Sequence, residues 1–154
     1  VFSTLHTNDS VSTVARLVDM GIDSFMVSSA LLLVANQRLL RKLCPHCKAP
    51  MSPDEKPPRE DLITIGFKPE ECENIPLYKA VGCPKCFEGC KGRAAIYEVL
   101  EIDNELRKLI IKGASVLEIR DFAVKNCGLI TIRRSAVLKA VRGESSLAEV
   151  LRAT

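Results

Sequence analysis

Cys44-Pro45-His46-Cys47 and Cys83-Pro84-Lys85-Cys86 are two C-x-x-C pairs with residues 48–82 between them. A tight turn across each pair lets both thiolates face one ion, and two such turns complete the tetrahedral sulfur shell that zinc accepts. The pattern therefore predicts one structural zinc held by Cys44, Cys47, Cys83 and Cys86. The intervening stretch is longer than in a compact zinc ribbon, but the cost of closing a loop rises only logarithmically with its length. Two other readings of the same thiols stay open: buried apolar cysteines or a redox pair, and an iron–sulfur cluster. The second arises because Cys83, Cys86 and Cys90 form C-x-x-C-x-x-x-C, which also makes Cys90 an alternative to one of the four ligands. Cys72 and Cys127 read as spare or core thiols. His46 lies inside a knuckle, where the geometry favours its cysteine neighbours as ligands.

A second cluster, Ser3-Thr4-Leu5-His6-Thr7-Asn8-Asp9, is polar where a strand over Val1–Leu5 gives way to a helix. In open α/β sheets ligands bind outside the carboxyl ends of strands. An imidazole there can donate to phosphate oxygens. The same residues serve equally well as a turn and helix cap.

The elements that must position these groups are legible in outline. Val11, Val14, Ala15, Leu17 and Val18 recur at helical spacing until Gly21. Asp23 or Ser24 opens a second helix through about Asn36, apolar on nearly every side and so expected to be buried. Arg38–Leu43 reads as a strand. Residues 44–92 hold all eight prolines and six of the seven cysteines, which makes the segment loop-rich, with at most a short helix over Glu60–Ile65. An alternating β-branched and aromatic run over Arg93–Ile102 reads as a strand. Helices are expected over Asn104–Lys112, Val116–Asn126 and Thr131–Arg142, and after Ser146. Ser115-Val116-Leu117-Glu118 and Ser146-Leu147-Ala148-Glu149 both fit the capping box. The metal would clip together the base of an excursion from a sheet.

Composition narrows the function classes. With 47% hydrophobic and 27% charged residues over 154 positions, disorder and fibrous architectures are excluded. A net charge of +3 from intermixed charges, with 5% aromatics, weighs against a nucleic-acid partner. The longest apolar stretch, Ala30–Ala35, is far short of the ~20 residues a bilayer span requires, so no transmembrane segment is expected. The absence of a leader-like start and the paired cysteines suggest a reducing, cytoplasmic compartment. The abrupt opening on Val1-Phe2-Ser3-Thr4-Leu5 reads as a piece of something larger.

Three runs carry a specific resemblance: Ser3-Thr4-Leu5-His6-Thr7-Asn8, then Arg16-Leu17-Val18-Asp19-Met20-Gly21, then Gln37-Arg38-Leu39 leading to Leu43-Cys44. Together they resemble the histidine-box region of the secretion ATPases, the hexameric motors of type II secretion and type IV pilus assembly. Gly92-Arg93-Ala94-Ala95-Ile96-Tyr97-Glu98-Val99-Leu100 resembles their strand after the metal loop. The resemblance covers essentially the whole chain. Its tetracysteine loop is similar to that of the assembly and secretion motors rather than of the pilus-retraction motors.

The resemblance implies an α/β fold: the C-terminal remnant of a RecA-like ATPase core (1–43), a tetracysteine zinc-binding loop (44–92), and a return strand with a C-terminal helical subdomain (93–154). It implies that His6 is the catalytic histidine near the nucleotide γ-phosphate. It also implies ATP and Mg²⁺ as cofactors of a longer parent, a homo-hexamer, and inner-membrane platform proteins as partners, which would hold the motor at the membrane periphery. No G-x-x-x-x-G-K-[ST] and no acidic Walker B strand occur here, so the segment by itself is expected to be inactive. Cys90 stands where relatives commonly show tyrosine. The rival reading is a zinc-dependent binding module for nucleic acid or a partner protein.

Overall fold

The computed structural model describes every residue from Val1 to Thr154. Its first regular element begins where Asp9 turns the chain: the carboxylate accepts from the Ser12 amide at 2.7 Å and the Ser12 hydroxyl at 2.9 Å. One of the four amides that a helix start leaves unpaired is thereby satisfied. Helix α1 runs Ser10–Asp19 from that cap, and α2, capped by Asp23, runs Ser24–Ala30. Strand β1 (Leu33–Leu43) follows, then β2 (Ala49–Pro50), α3 (Arg59–Ile65), β3 (Tyr78–Lys79) and β4 (Cys90–Glu101). Helices α4 (Asn104–Ile111), α5 (Val116–Asn126), α6 (Ile132–Val141) and α7 (Leu147–Ala153) complete a mixed α/β chain.

β1 pairs with β4, and the short β2 pairs antiparallel with β3 through Ala49↔Lys79 and Pro50↔Tyr78. β1 and β4 run in opposite directions. Ile102 donates its amide to Leu32 O at one end of the ladder, and Cys44 donates to Gly89 O at the other.

Two compact units share these strands. The first comprises Val1–Gln37 and Tyr97–Thr131, with a core built from Val11, Val14, Val27, Val34, Leu100 and Leu106 among others. The second comprises Arg38–Ile96 and Ile132–Thr154, with a core around Leu40, Leu62, Phe67, Leu77, Ile96 and Val137.

Three expectations need correction. Val1–Leu5 forms no strand; Val1 and Phe2 are fully exposed, and extended backbone becomes a strand only beside a partner ladder. The helix expected through Asn36 stops at Ala30. The Ser28 and Ser29 hydroxyls both turn back onto Phe25 O, Leu31 is extended, and the residues beyond it join β1. Nor is that stretch buried throughout, since Phe25 is 61% and Leu32 70% exposed. Finally, Ser146 accepts from the Glu149 amide at 3.3 Å, but the Glu149 carboxylate does not complete the capping box. It is drawn inward to Arg41.

Candidate metal centre and histidine segment

β1 delivers Cys44 directly after its last residue, and the backbone then turns back so that the Cys47 and Lys48 amides both donate to Cys44 O. The second knuckle closes in the same manner, with Cys86 N–H donating to Cys83 O at 3.2 Å. A bridge between Phe87 and Cys90 then leads into β4. The two knuckles therefore stand at the two ends of the excursion between β1 and β4.

Their four sulfurs lie within 4.8 Å of one another. Cys44 and Cys83 Sγ are 3.9 Å apart, Cys47 and Cys86 3.7 Å, and Cys83 and Cys86 3.6 Å. A tetrahedral ion with metal–sulfur bonds of about 2.3 Å has sulfur–sulfur edges of about 3.8 Å. The observed edges match that figure and are much longer than the ~2.05 Å of a disulfide.

Backbone donors aim at the same sulfurs: Gly82 N–H at Cys47 Sγ and Cys83 N–H at Cys86 Sγ, each at 3.3 Å. Burial pushes the Cys47 thiol up to about 12, against the Gly82 amide. Burial also acts to raise Cys86, but the Cys83 amide and the other three thiols bring it down to about 7. An ion that prefers thiolate sulfur is the chemistry that such a donor set invites.

The remaining cysteines stand apart from this group. Cys90, half-buried, has its thiol pushed up mainly by burial. Cys72 donates to Lys68 O at 3.3 Å and packs on the second unit's core. Cys127 donates to Asp103 Oδ2 at 3.3 Å and is pushed up to about 11, chiefly by burial. His46 is exposed.

His6 lies in the irregular, exposed segment that precedes α1. It lines an open cavity of about 720 Å³ together with Thr7, Thr13, Asn36 and Gln37. What fixes this segment is a set of side chains downstream of it. Asn36 donates Nδ2 to Thr7 O at 3.1 Å, and the Thr7 and Thr13 hydroxyls are 2.7 Å apart. Arg120 of α5 binds the capping Asp9 at 2.8 Å. Although burial works to raise Asp9, its bonds to Ser12 and the Arg120 charge leave it below the usual carboxylate range. Most buried of all is the join between Glu98 and Ser10. Glu98 Oε1 accepts both the Ser10 amide at 2.8 Å and the Ser10 hydroxyl at 2.6 Å, with Glu98 3% and Ser10 0% exposed.

Two buried carboxylates escape the motif-based reading. Glu98 is signalled by strand alternation, because Ile96, Glu98 and Leu100 share one face of β4 and all are buried. Glu149 carries no such signal, since a glutamate three residues after a serine reads as an exposed cap.

Compared with known proteins, residues 1–152 match the model of the family described as type II/IV secretion system protein. The whole chain is 41% identical to the type IV pilus assembly ATPase PilB of Thermus thermophilus, covering 17% of that protein. It is 41% identical over 98% of its length to PilB of Myxococcus xanthus, covering 26% of it. It is also 42% identical to the type II secretion system ATPase E of Vibrio cholerae, covering 29% of it. The chain therefore spans less than a third of the length of these relatives. A match over nearly every residue, with identities of about 40%, means that the chain belongs to the type II/IV secretion system protein family.

Proposed function

We propose that this chain is the C-terminal part of a hexameric ATPase that drives type IV pilus assembly or type II protein secretion. The observation that carries the reading is the likeness over the full chain to proteins named as ATPases of those two machines. In this reading residues 1–43 end a RecA-like ATPase core, 44–92 form its metal loop, and 93–154 supply the return strand and a C-terminal helical subdomain. The parent hydrolyses ATP with Mg²⁺ in the cytoplasm and works on platform proteins at the inner membrane. No helix here is long and apolar enough to cross a membrane, which fits attachment through partners.

Phosphoryl transfer asks a protein chiefly to position groups and to stabilise charge. His6 is assigned the second task, from an exposed position directly before Thr7, which Asn36 holds. Zinc is the metal assigned to Cys44, Cys47, Cys83 and Cys86. Four sulfurs within 4.8 Å leave room for one ion rather than a cluster of several. When bound, it supplies a cross-link between the start and end of the 44–86 excursion.

Turnover of ATP by the full-length protein, measured with and without His6→Ala, tests the reading. The expected result is hydrolysis that falls about 10- to 1,000-fold in the variant while nucleotide affinity changes little, as for a group that acts mainly in the transition state. No hydrolysis by the folded hexamer would sink the ATPase assignment. Equal turnover by both forms would reduce His6 to a turn residue. Zinc at one equivalent per chain by elemental analysis checks the metal.

A further inference from the structure

The segment carrying His6 has no helix or strand of its own, yet a group that answers charge on a phosphate must be held to within a fraction of an ångström. Its chain neighbours are fixed at Thr7 by Asn36 and at Asp9 by Arg120. A further fixed point is Ser10, the first residue of α1, and there the partner is a buried carboxylate on β4.

We infer that Glu98 is a positioning residue for the histidine segment. By gripping both the amide and the hydroxyl of Ser10, it sets the height and rotation at which the chain enters α1, and so the place from which His6 reaches a phosphate. The inference rests on the ATPase reading proposed above.

Physical chemistry singles out Glu98 from an ordinary helix cap. Asp9 already caps α1 from within the segment, so the structure does not need a second acid for that purpose. A glutamate placed between Ile96 and Leu100 gives up its hydration, and two of the bonds that its burial brings go to one serine. Those bonds lie at the positive end of the helix, where an acceptor oxygen is favoured. The grip also ties positions 88 residues apart in sequence, so the segment's geometry is dictated by β4 rather than by its own turn preferences.

The test uses the full-length protein with three substitutions, each read for kcat, nucleotide KM and amide exchange. Glu98→Ala should lower kcat about 10- to 100-fold, the scale of a small misplacement of a reacting group, with KM within about twofold. Glu98→Gln keeps an oxygen that accepts from the Ser10 amide and should recover most of the loss. Amides over residues 3–13 should exchange faster in Glu98→Ala while those of α4 to α7 do not. In a His6→Ala background, adding Glu98→Ala should cost less than about twofold, because the two residues act as one unit.

Multiplicative losses in the double variant, or wild-type kcat in Glu98→Ala, overturn the proposal. If Glu98→Ala does not fold, Ser10→Ala replaces it, since it removes only the hydroxyl bond; unchanged exchange over residues 3–13 in that variant overturns the proposal equally. A His6→Ala variant with full turnover would instead overturn the reading on which the inference rests, and the two failures are thus told apart.

Discussion

Glu149 is 2% exposed and accepts four hydrogen bonds: from the Arg41 amide at 3.0 Å, from Arg41 Nε at 2.8 Å, and from two nitrogens of the Arg152 guanidinium at 2.8 and 3.0 Å. The bonds from Arg152 and then Arg41 outweigh burial and hold its carboxyl at about 2, below the 4.5 of a free glutamate. A carboxyl depressed in the folded state contributes its full stability above pH ~4.5 and loses it as pH falls from there toward 2. Glu71 behaves likewise, held at about 2 mainly by Arg134. Glu149→Ala should therefore cost about 2–3 kcal/mol at neutral pH; this is less than for a fully buried pair, because Arg41 and Arg152 are half-exposed and can rehydrate. Denaturant melts of wild type and variant between pH 7 and 2 check this. The gap should close toward pH 2, and a gap independent of pH would refute the assignment. Nothing in Ser146-Leu147-Ala148-Glu149 announces the role, because the partner Arg41 lies 108 residues away. Sequence reasoning places Glu149 at a helix start correctly and gives it the wrong bond.

At the scale of elements, α5 shows how much local chemistry can settle. Ser115 and Glu118 exchange their cap bonds as the motif requires, and the helix spans Val116–Asn126 as expected. The knuckles are equally legible, since two C-x-x-C turns specify a shared ion without any knowledge of what lies between. Leu31–Asn36 is the opposite case: an apolar run fits a buried helix or a strand equally well, and only the presence of β4 decides between them. The excursion follows from the legible part. Its own regular structure amounts to α3, the two-residue pair β2–β3 and short 3-10 turns, and although Leu62, Phe67 and Leu77 pack into the second unit's core, the metal is what joins its two ends. Cys47→Ser or Cys83→Ser should lose the zinc, whose binding can contribute on the order of 10–16 kcal/mol. Amide exchange over 44–92 should then accelerate while α4 and α5 keep their protection. Uniform loosening of the whole chain would show that the metal holds more than the excursion. A chelator strong enough to strip the ion should reproduce the pattern, and added zinc should reverse it.

For the whole molecule, the residues present divide the proposed motor's labour. His6 and its grip are here; a phosphate-cradling G-x-x-x-x-G-K-[ST] is not among these 154 residues. The isolated chain should accordingly show no ATP turnover and no tight nucleotide binding, because the amides that cradle phosphates belong to that loop. Isothermal titration with Mg²⁺–ATP checks this, and micromolar affinity would mean that the chain carries a phosphate site of its own. A different consequence follows from the way β1 and β4 thread the two units. The first unit is written in the sequence as two separated halves, and Val11, Val14, Val27 and Val34 have no core until Leu100 to Leu129 arrive. On the ribosome, at about 5–20 residues per second, the first half waits roughly 5–20 s for the second. Through that interval these valines lack the side chains that bury them in the folded unit, so the yield of folded chain should depend on translation speed between codons 38 and 96 more than on speed anywhere after codon 131.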